Sequence, residues 1–284
     1  MFDLAKRNLI LFFRDTFTVL LSFLAEVIVV ILYFLFIRDN LLEQFSYLEH
    51  AEILMDVWMI AGVLGITSVT TTMGAYGIMV EDRAKGLWKD FLIAPIKRGT
   101  MVGGYMIAAI IIGVIMSMLV LLMAGIYMRQ IHDVKLLMGN GEVVLGLIFL
   151  SAVSNSSMVI FLISFLKSSN ALASCSTIIG SLIGFLTGIY LPMGNLPEYV
   201  QMVVRAFPLS HGVVLFRQSL MESFLADCFG GAKEELEVFV TFMGIQFSHE
   251  EKIVTMQSSV VLLWVCSLFF GVLTMLRMEQ MKER

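Results

Sequence analysis

The chain has 284 residues, 58% of them apolar and 15% charged, with a mean hydropathy of +0.89. This balance excludes a soluble globule and describes a membrane protein, for which no nucleic-acid partner is expected. The formal net charge of −4 decides little, because the two sides of a bilayer differ.

Residues 2–15 mix Lys6, Arg7 and Arg14 with Leu9, Ile10, Leu11, Phe12 and Phe13. The pattern predicts an interfacial helix lying on the inner leaflet; an inward extension of the first span is the alternative. The apolar run that follows is too long for a cleavable signal peptide, and no small-residue cleavage site closes it. A bilayer core requires roughly 20 apolar residues in a helix. Six segments satisfy this, at about 17–37, 57–80, 101–127, 143–166, 171–191 and 257–276. The third is long enough to tilt.

The first span contains Glu26. At 100° per residue Thr18, Ser22, Glu26 and Tyr33 fall within an arc of about 80°. An ionisable group at that depth is a functional candidate, and Ser22, Glu26 and Tyr33 could line a substrate path that favours a cationic or polar group. The competing reading is a protonated Glu26 bonded to a hydroxyl or amide of a neighbouring helix. The loop 38–56 is acidic, with Asp39, Glu43, Glu49, Glu52 and Asp56 against Arg38. The second span carries Thr67, Ser68, Thr70, Thr71 and Thr72. The fourth carries Ser151, Ser154, Asn155, Ser156 and Ser157. Such residues line cavities or, more often, bond neighbouring helices. In the fifth span Gly180, Gly184 and Gly188 recur at every fourth residue and predict a helix-packing face.

Between the second and third spans lies 81–98, EDRAKGLWKDFLIAPIKR. With both termini inside, 12 of the 19 bases lie inside: Lys6, Arg7, Arg14, Arg83, Lys85, Lys89, Lys97, Arg98, Lys167, Arg277, Lys282 and Arg284. The positive-inside bias therefore puts both termini and 81–98 in the cytoplasm. Between the fifth and sixth spans, 192–256 begins too apolar for an open loop. Val200, Val203, Val204 and Phe207 repeat at helical spacing, Pro208 interrupts, and Val213, Phe216 and Leu220 resume. Two short re-entrant helices fit this. Arg205, His211 and Arg217 count against a seventh span.

The chain has no GxxxxGK[ST] phosphate loop and no GxSxG elbow. His249-Glu250 begins an HExxH, but Ile253 stands at the second His position. Cys175, Cys228 and Cys266 form no CxxC or Cys/His pattern. No catalytic residue, cofactor site or metal site is therefore assigned.

The segment 81–98 resembles the inner-loop motif of type-2 ATP-binding-cassette exporter permeases through Glu81, Gly86, Asp90, Leu92, Ala94, Pro95, Ile96 and Arg98. Leu87 replaces the usual Thr. The stretch 189–218, with Pro192, Leu196-Pro197, Pro208 and Arg217, is similar to the family's segment after the fifth span. The resemblance covers essentially the whole chain, 1–284, as one permease domain. It implies an all-α membrane protein with six transmembrane helices in the cell membrane. It also implies transport, without catalysis by this chain, as the subunit of an ATP-driven exporter. Its partners would be cytosolic ATPase subunits, which hold ATP and Mg, and a second copy or a related permease. A coupling helix in 81–98 would dock on the ATPase, with Glu81, Gly86, Leu87, Trp88, Phe91, Leu92, Pro95 and Arg98 as candidate coupling residues. A drug-like, peptide or lipid-linked substrate is expected. A membrane-embedded enzyme, or a sensing and immunity component with the same fold, are the alternatives.

Overall fold

A computed structural model describes residues 1–87, 98–249 and 252–280. Helix α1 (Phe2–Arg14) turns at Asp15 into α2 (Thr16–Leu32), which continues through a π-helical turn (Tyr33–Ile37) into the short α3 (Arg38–Gln44). Then come α4 (Ala51–Ala84), α5 (Arg98–Ile131), α6 (Gly141–Ile163) and α7 (Ser169–Leu186). After α8 (Glu198–Ala206), α9 (Pro208–Phe229) and α10 (Lys233–Phe242), a short antiparallel pairing of Ser248–His249 with Lys252–Ile253 leads to α11 (Met256–Gln280). Among the described residues, six helical segments are long and apolar enough to cross a membrane: α2 with its extension, α4, α5, α6, α7 and α11. That is the number expected from the apolar runs.

Helix α4 is the axis. Over its most apolar window 89% is buried, against 18% for α2 and 11% for α7. A helix apolar on all sides buries all sides when neighbours surround it, and α2, α5, α6, α7 and α9 all pack on α4. Its 34 residues span about 51 Å, well beyond a hydrocarbon core of about 30 Å. Both ends therefore lie outside the apolar layer of a bilayer. The expected span 57–80 is thus extended by a turn or more at each end, and Asp56 and Asp82 fall inside the helix rather than in loops.

The hydroxyls of α4 fold onto their own helix or onto a neighbour. Thr67, Thr71 and Thr72 donate to the carbonyls of Val63, Thr67 and Ser68 at 2.8, 2.6 and 2.7 Å. Asn155 donates to Ser68 Oγ at 2.6 Å, and Tyr76 and Ser156 share a 2.6 Å bond. The polar runs of the second and fourth spans thus join α4 to α6, in keeping with the packing reading.

Two small residues set how closely the axis is approached. A Cβ on Gly62 would meet Ile189, and one on Gly65 would overlap the Val213 side chain and sit 3.3 Å from the Val213 Cα. Helix α9 starts at Pro208, a residue suited to the first helical position. It ends at Gly230 and Gly231, both at positive φ. It is longer than the short re-entrant helix expected there, because no proline intervenes in 209–229 and the single Gly212 is tolerated within it. Helices α8 and α9 meet at 88°. Contacts of Val213 with Gly65, Arg217 with Trp58 and Cys228 with Glu49 show α9 running toward the Ala51 end of α4.

Substituting Gly65→Ala should force α9 off α4 and destabilise the protein by about 2 kcal/mol. A methyl group added at Gly180 of α7 would meet no other atom within 4 Å among the described residues, so Gly180→Ala should change stability by less than about 1 kcal/mol. Thermal unfolding in detergent compares the two.

Candidate functional site: the charged end of the bundle and two buried carboxylates

One end of the bundle gathers α1, the end of α4, the start of α5 and the last turns of α11. Helix α1 buries Ala5, Asn8 and Phe12 as one stripe against the bundle and exposes Phe2, Ile10 and Phe13. Asp15 closes it and caps α2. Its carboxylate accepts from the Thr18 amide at 3.2 Å and the Thr18 hydroxyl at 2.6 Å, and these bonds hold its pKa below the ordinary carboxylate value.

Asp82 binds these elements together. Arg7 of α1 donates two bonds to it, at 2.7 and 3.0 Å, and the Tyr105 hydroxyl of α5 donates a third. Asp82 is 4% exposed. A bidentate guanidinium and a phenol satisfy a carboxylate that burial would otherwise penalise. The bonds to Asp82 raise the Arg7 pKa above its ordinary value. One carboxylate thus joins three elements separated in sequence.

Beside it, Glu81 pairs with Lys85 at 2.6 Å on the exposed face of the last turn of α4. Gly86 adopts φ +79°, and its amide donates to the Arg83 carbonyl at 3.1 Å. A left-handed glycine after the last helical residue stops a helix and redirects the chain. That is the physical reason for a glycine at this point of the motif. Leu87 is exposed, and Arg98 opens α5. The motif residues Trp88, Asp90, Phe91, Leu92, Ala94, Pro95 and Ile96 lie outside the described residues. A cleft of about 730 Å³, lined in part by Arg7, Asp15, Glu81, Asp82, Lys85 and Leu87, lies between α1 and this end of α4.

The other end of α4 carries a second node. Asp56, fully buried, accepts from Tyr33 at 3.0 Å, Arg38 at 3.0 and 3.4 Å, and Tyr127 at 2.7 Å. His132 Nε2 lies 2.9 Å from it. The sequence pattern places Asp56 in a solvated acidic loop. The structure corrects this: the aspartate lies within the buried part of α4, just after Leu54 and Met55, and the donors come from the π-helical turn, α3, α5 and the residue just past α5. Of these donors, only Tyr33 is a candidate on sequence grounds. The signal that could have found the rest is a lone Arg38 and a Tyr127–His132 pair at the ends of apolar runs on the same side as Asp56.

Along α2 the polar stripe faces α4. Ser22 donates to the Thr18 carbonyl at 2.9 Å, and Thr70 donates to Glu26 Oε1 at 2.6 Å. Glu26 is 4% exposed, and its Oε2 has no hydrogen-bond partner among the described residues. It lines an apolar cavity of about 240 Å³ with Phe23, Val30, Met59, Val120 and Tyr127. Tyr33 is spent on Asp56 rather than joined to Glu26.

The glycine register of the fifth span divides. Gly180 faces open space, Gly184 receives the Tyr190 ring, and Gly188 lies beyond α7 at φ +63°. The three do not form one packing face within the chain. The turn after α7 accounts for the last two, since the chain folds back there and the Gly188 carbonyl accepts from Arg217 at 2.8 Å. Arg217 is buried, stacks 4.4 Å over Trp58, and also donates to the carbonyls of Gly244 and Met243 at 3.1 and 3.4 Å.

Comparison with known proteins finds that the family described as ABC-2 type transporter matches residues 2–221. No curated protein matches the chain.

Arg7→Ala should leave Asp82 with one described phenol donor and cost about 2 kcal/mol, a value held down by the partial exposure of Arg7. Asp56→Asn, which leaves the partly buried Arg38 with the exposed Glu52, 3.4 Å away, as its carboxylate partner, should cost about 3 kcal/mol. Unfolding of both variants in detergent tests the magnitudes. Protease cutting within residues 2–15 should accelerate in the Arg7 variant alone.

Proposed function

Because the chain belongs to the ABC-2 type transporter family, we propose that it is the membrane-spanning permease subunit of an ATP-driven exporter, driven through 81–98 by separate cytosolic ATPase subunits. The observation that carries this reading is the Asp82 node. It ties α1, α4 and α5 together at the point where Gly86 turns the chain out of α4. A displacement applied at 81–98 would then move three elements as one body, the kind of rigid-body switch that alternating access needs. Trp88, Phe91 and Leu92 would supply apolar anchors and Pro95 a helix stop. ATP and Mg would belong to the partner. The positive-inside bias supports a cytoplasmic location for this end and for both termini, in the cell membrane.

A second copy of the chain, or a related permease, would complete the path. The outward apolar faces of α2 (Leu20, Leu24, Ile28) and α7 (Ile178, Leu182) support such a pairing, and two-fold closure is the commonest arrangement. For the substrate, the free oxygen of Glu26 at the edge of an apolar cavity supports a lipophilic molecule bearing a cationic or donor group, within the broader class of drug-like, peptide or lipid-linked compounds.

Tagged Met1–Arg284 should co-purify with an ATPase subunit from its native membrane. Glu81→Ala and Pro95→Ala should lower substrate-stimulated ATP turnover by roughly tenfold, about 1.4 kcal/mol in coupling, while membrane insertion is unchanged. Wild-type coupled turnover in both variants would overturn the assignment of 81–98. Glu26→Gln should shift preference from cationic toward neutral substrates, measured as relative ATPase stimulation; an unchanged profile would reduce Glu26 to a packing residue.

A further inference from the structure

A second cavity, of about 530 Å³, lies at the Asp56 end of the bundle, between α9, α10 and the first turns of α6 and α11. It is remote from Glu26 and from 81–98. Two adjacent residues of α9 line it with polar atoms that have no partner among the described residues: Gln218 Oε1 and Ser219 Oγ. Ser219 is 7% exposed. Buried polar atoms are nearly always satisfied, so each such atom calls for an explanation. These two line one cavity, which a bound donor would satisfy together.

The charges select the donor. Glu222 and Glu237 line the same space against one base, Lys233. Glu222 is held by Asn140, which donates to it at 2.9 Å. The balance is one negative charge, so a cation is favoured. The unpartnered carbonyl of Gln218 further requires that the cation carry N–H groups. A primary ammonium has three donors and no acceptor; a quaternary ammonium has none. The remaining wall is apolar, with Val143 at the start of α6 and Met256 at the start of α11. Both helices are candidate spans, and the cavity lies at their first turns. The volume is within the range of small-molecule sites.

We propose that this cavity binds a primary ammonium carried on an apolar body, with Gln218 and Ser219 receiving its N–H groups and Glu222 its charge. Two sources share that chemistry: the headgroup of an aminophospholipid and a soluble amphiphilic amine.

The full chain in phosphatidylcholine nanodiscs is titrated with dodecylammonium and with dodecyltrimethylammonium. In parallel, protein extracted from mixed phosphatidylethanolamine and phosphatidylcholine membranes is examined by native mass spectrometry for retained lipid. A charge-assisted hydrogen bond of about 1.5 kcal/mol predicts roughly tenfold tighter binding of the primary amine. Gln218→Leu and Glu222→Gln should each remove most of that preference. Lys233→Ala, at an exposed position, should strengthen amine binding by a few-fold and guards against a folding artefact in the α9 variants. Selective retention of phosphatidylethanolamine, lost in Glu222→Gln, identifies the lipid as the source; amine binding without lipid retention identifies a soluble ligand. Equal affinity for the two dodecyl cations overturns the proposal. So does an unaltered preference in Glu222→Gln when Lys233→Ala also binds the amine no more tightly than the wild type.

Discussion

The structure depends on the burial of one helix that carries a carboxylate at each end. Asp56 and Asp82 stand 26 positions apart on α4, about 39 Å along its axis. Each is nearly inaccessible to solvent and each is held by an arginine and at least one tyrosine. Between them the helix offers glycines and self-bonded hydroxyls, so neighbours approach closely without stranding a polar group. Removing either carboxylate would take the shortest ion pair from a partly buried guanidinium. Removing the donors would leave an enclosed anion. Both errors cost more than the intact pair contributes, which is why such nodes fix register more than they add stability.

The two nodes differ in what they join. At the Asp56 end the donors come from the π-helical turn, α3, α5 and His132, all of which lie near the chain's own span boundaries. At the Asp82 end the arginine comes from α1, whose exposed face carries Phe2, Ile10 and Phe13. An amphipathic helix is thereby bound to the axis of the bundle. Arg217 provides a third kind of anchor. Its cationic group is held by backbone carbonyls and the Trp58 ring, and the carbonyls come from turns at Gly188 and Met243–Gly244. The turns that follow α7 and α10 are so tied to α4 through a single side chain.

Much of the fold was legible in the sequence, because a bilayer demands long apolar runs and these runs are hard to mistake. The six apolar helices, a separate helix ahead of the first of them and the break at Pro208 all follow from run length, charge and proline chemistry. Of the candidate site, the structure describes Glu81, Gly86 and Leu87 at the end of α4 and Arg98 at the start of α5, and Gly86 has the left-handed conformation that a glycine permits. The nodes were not legible, for a physical reason. A charge at the edge of an apolar run has the same local signature whether it meets water or a partner, and the partners of Asp56 lie 18 to 76 positions away. The glycine series divides at the end of α7. A spacing of four is meaningful only while the helix lasts, and α7 ends before Gly188. The stripe through Glu26 was correct as a face, but its members divide between Thr70 and Asp56.

The sequence distance of these partners also bears on how the chain is made. When α4 leaves the ribosome, Arg7 already exists, but Tyr105, Tyr127 and His132 do not. Both ends of the nascent helix therefore enter the translocation channel with incompletely neutralised carboxylates. Only the synthesis of α5, which delivers a phenol to each end, completes the donor sets. Membrane integration of α4 and α5 is thus expected as a paired event, with α4 released to lipid only when α5 has been made.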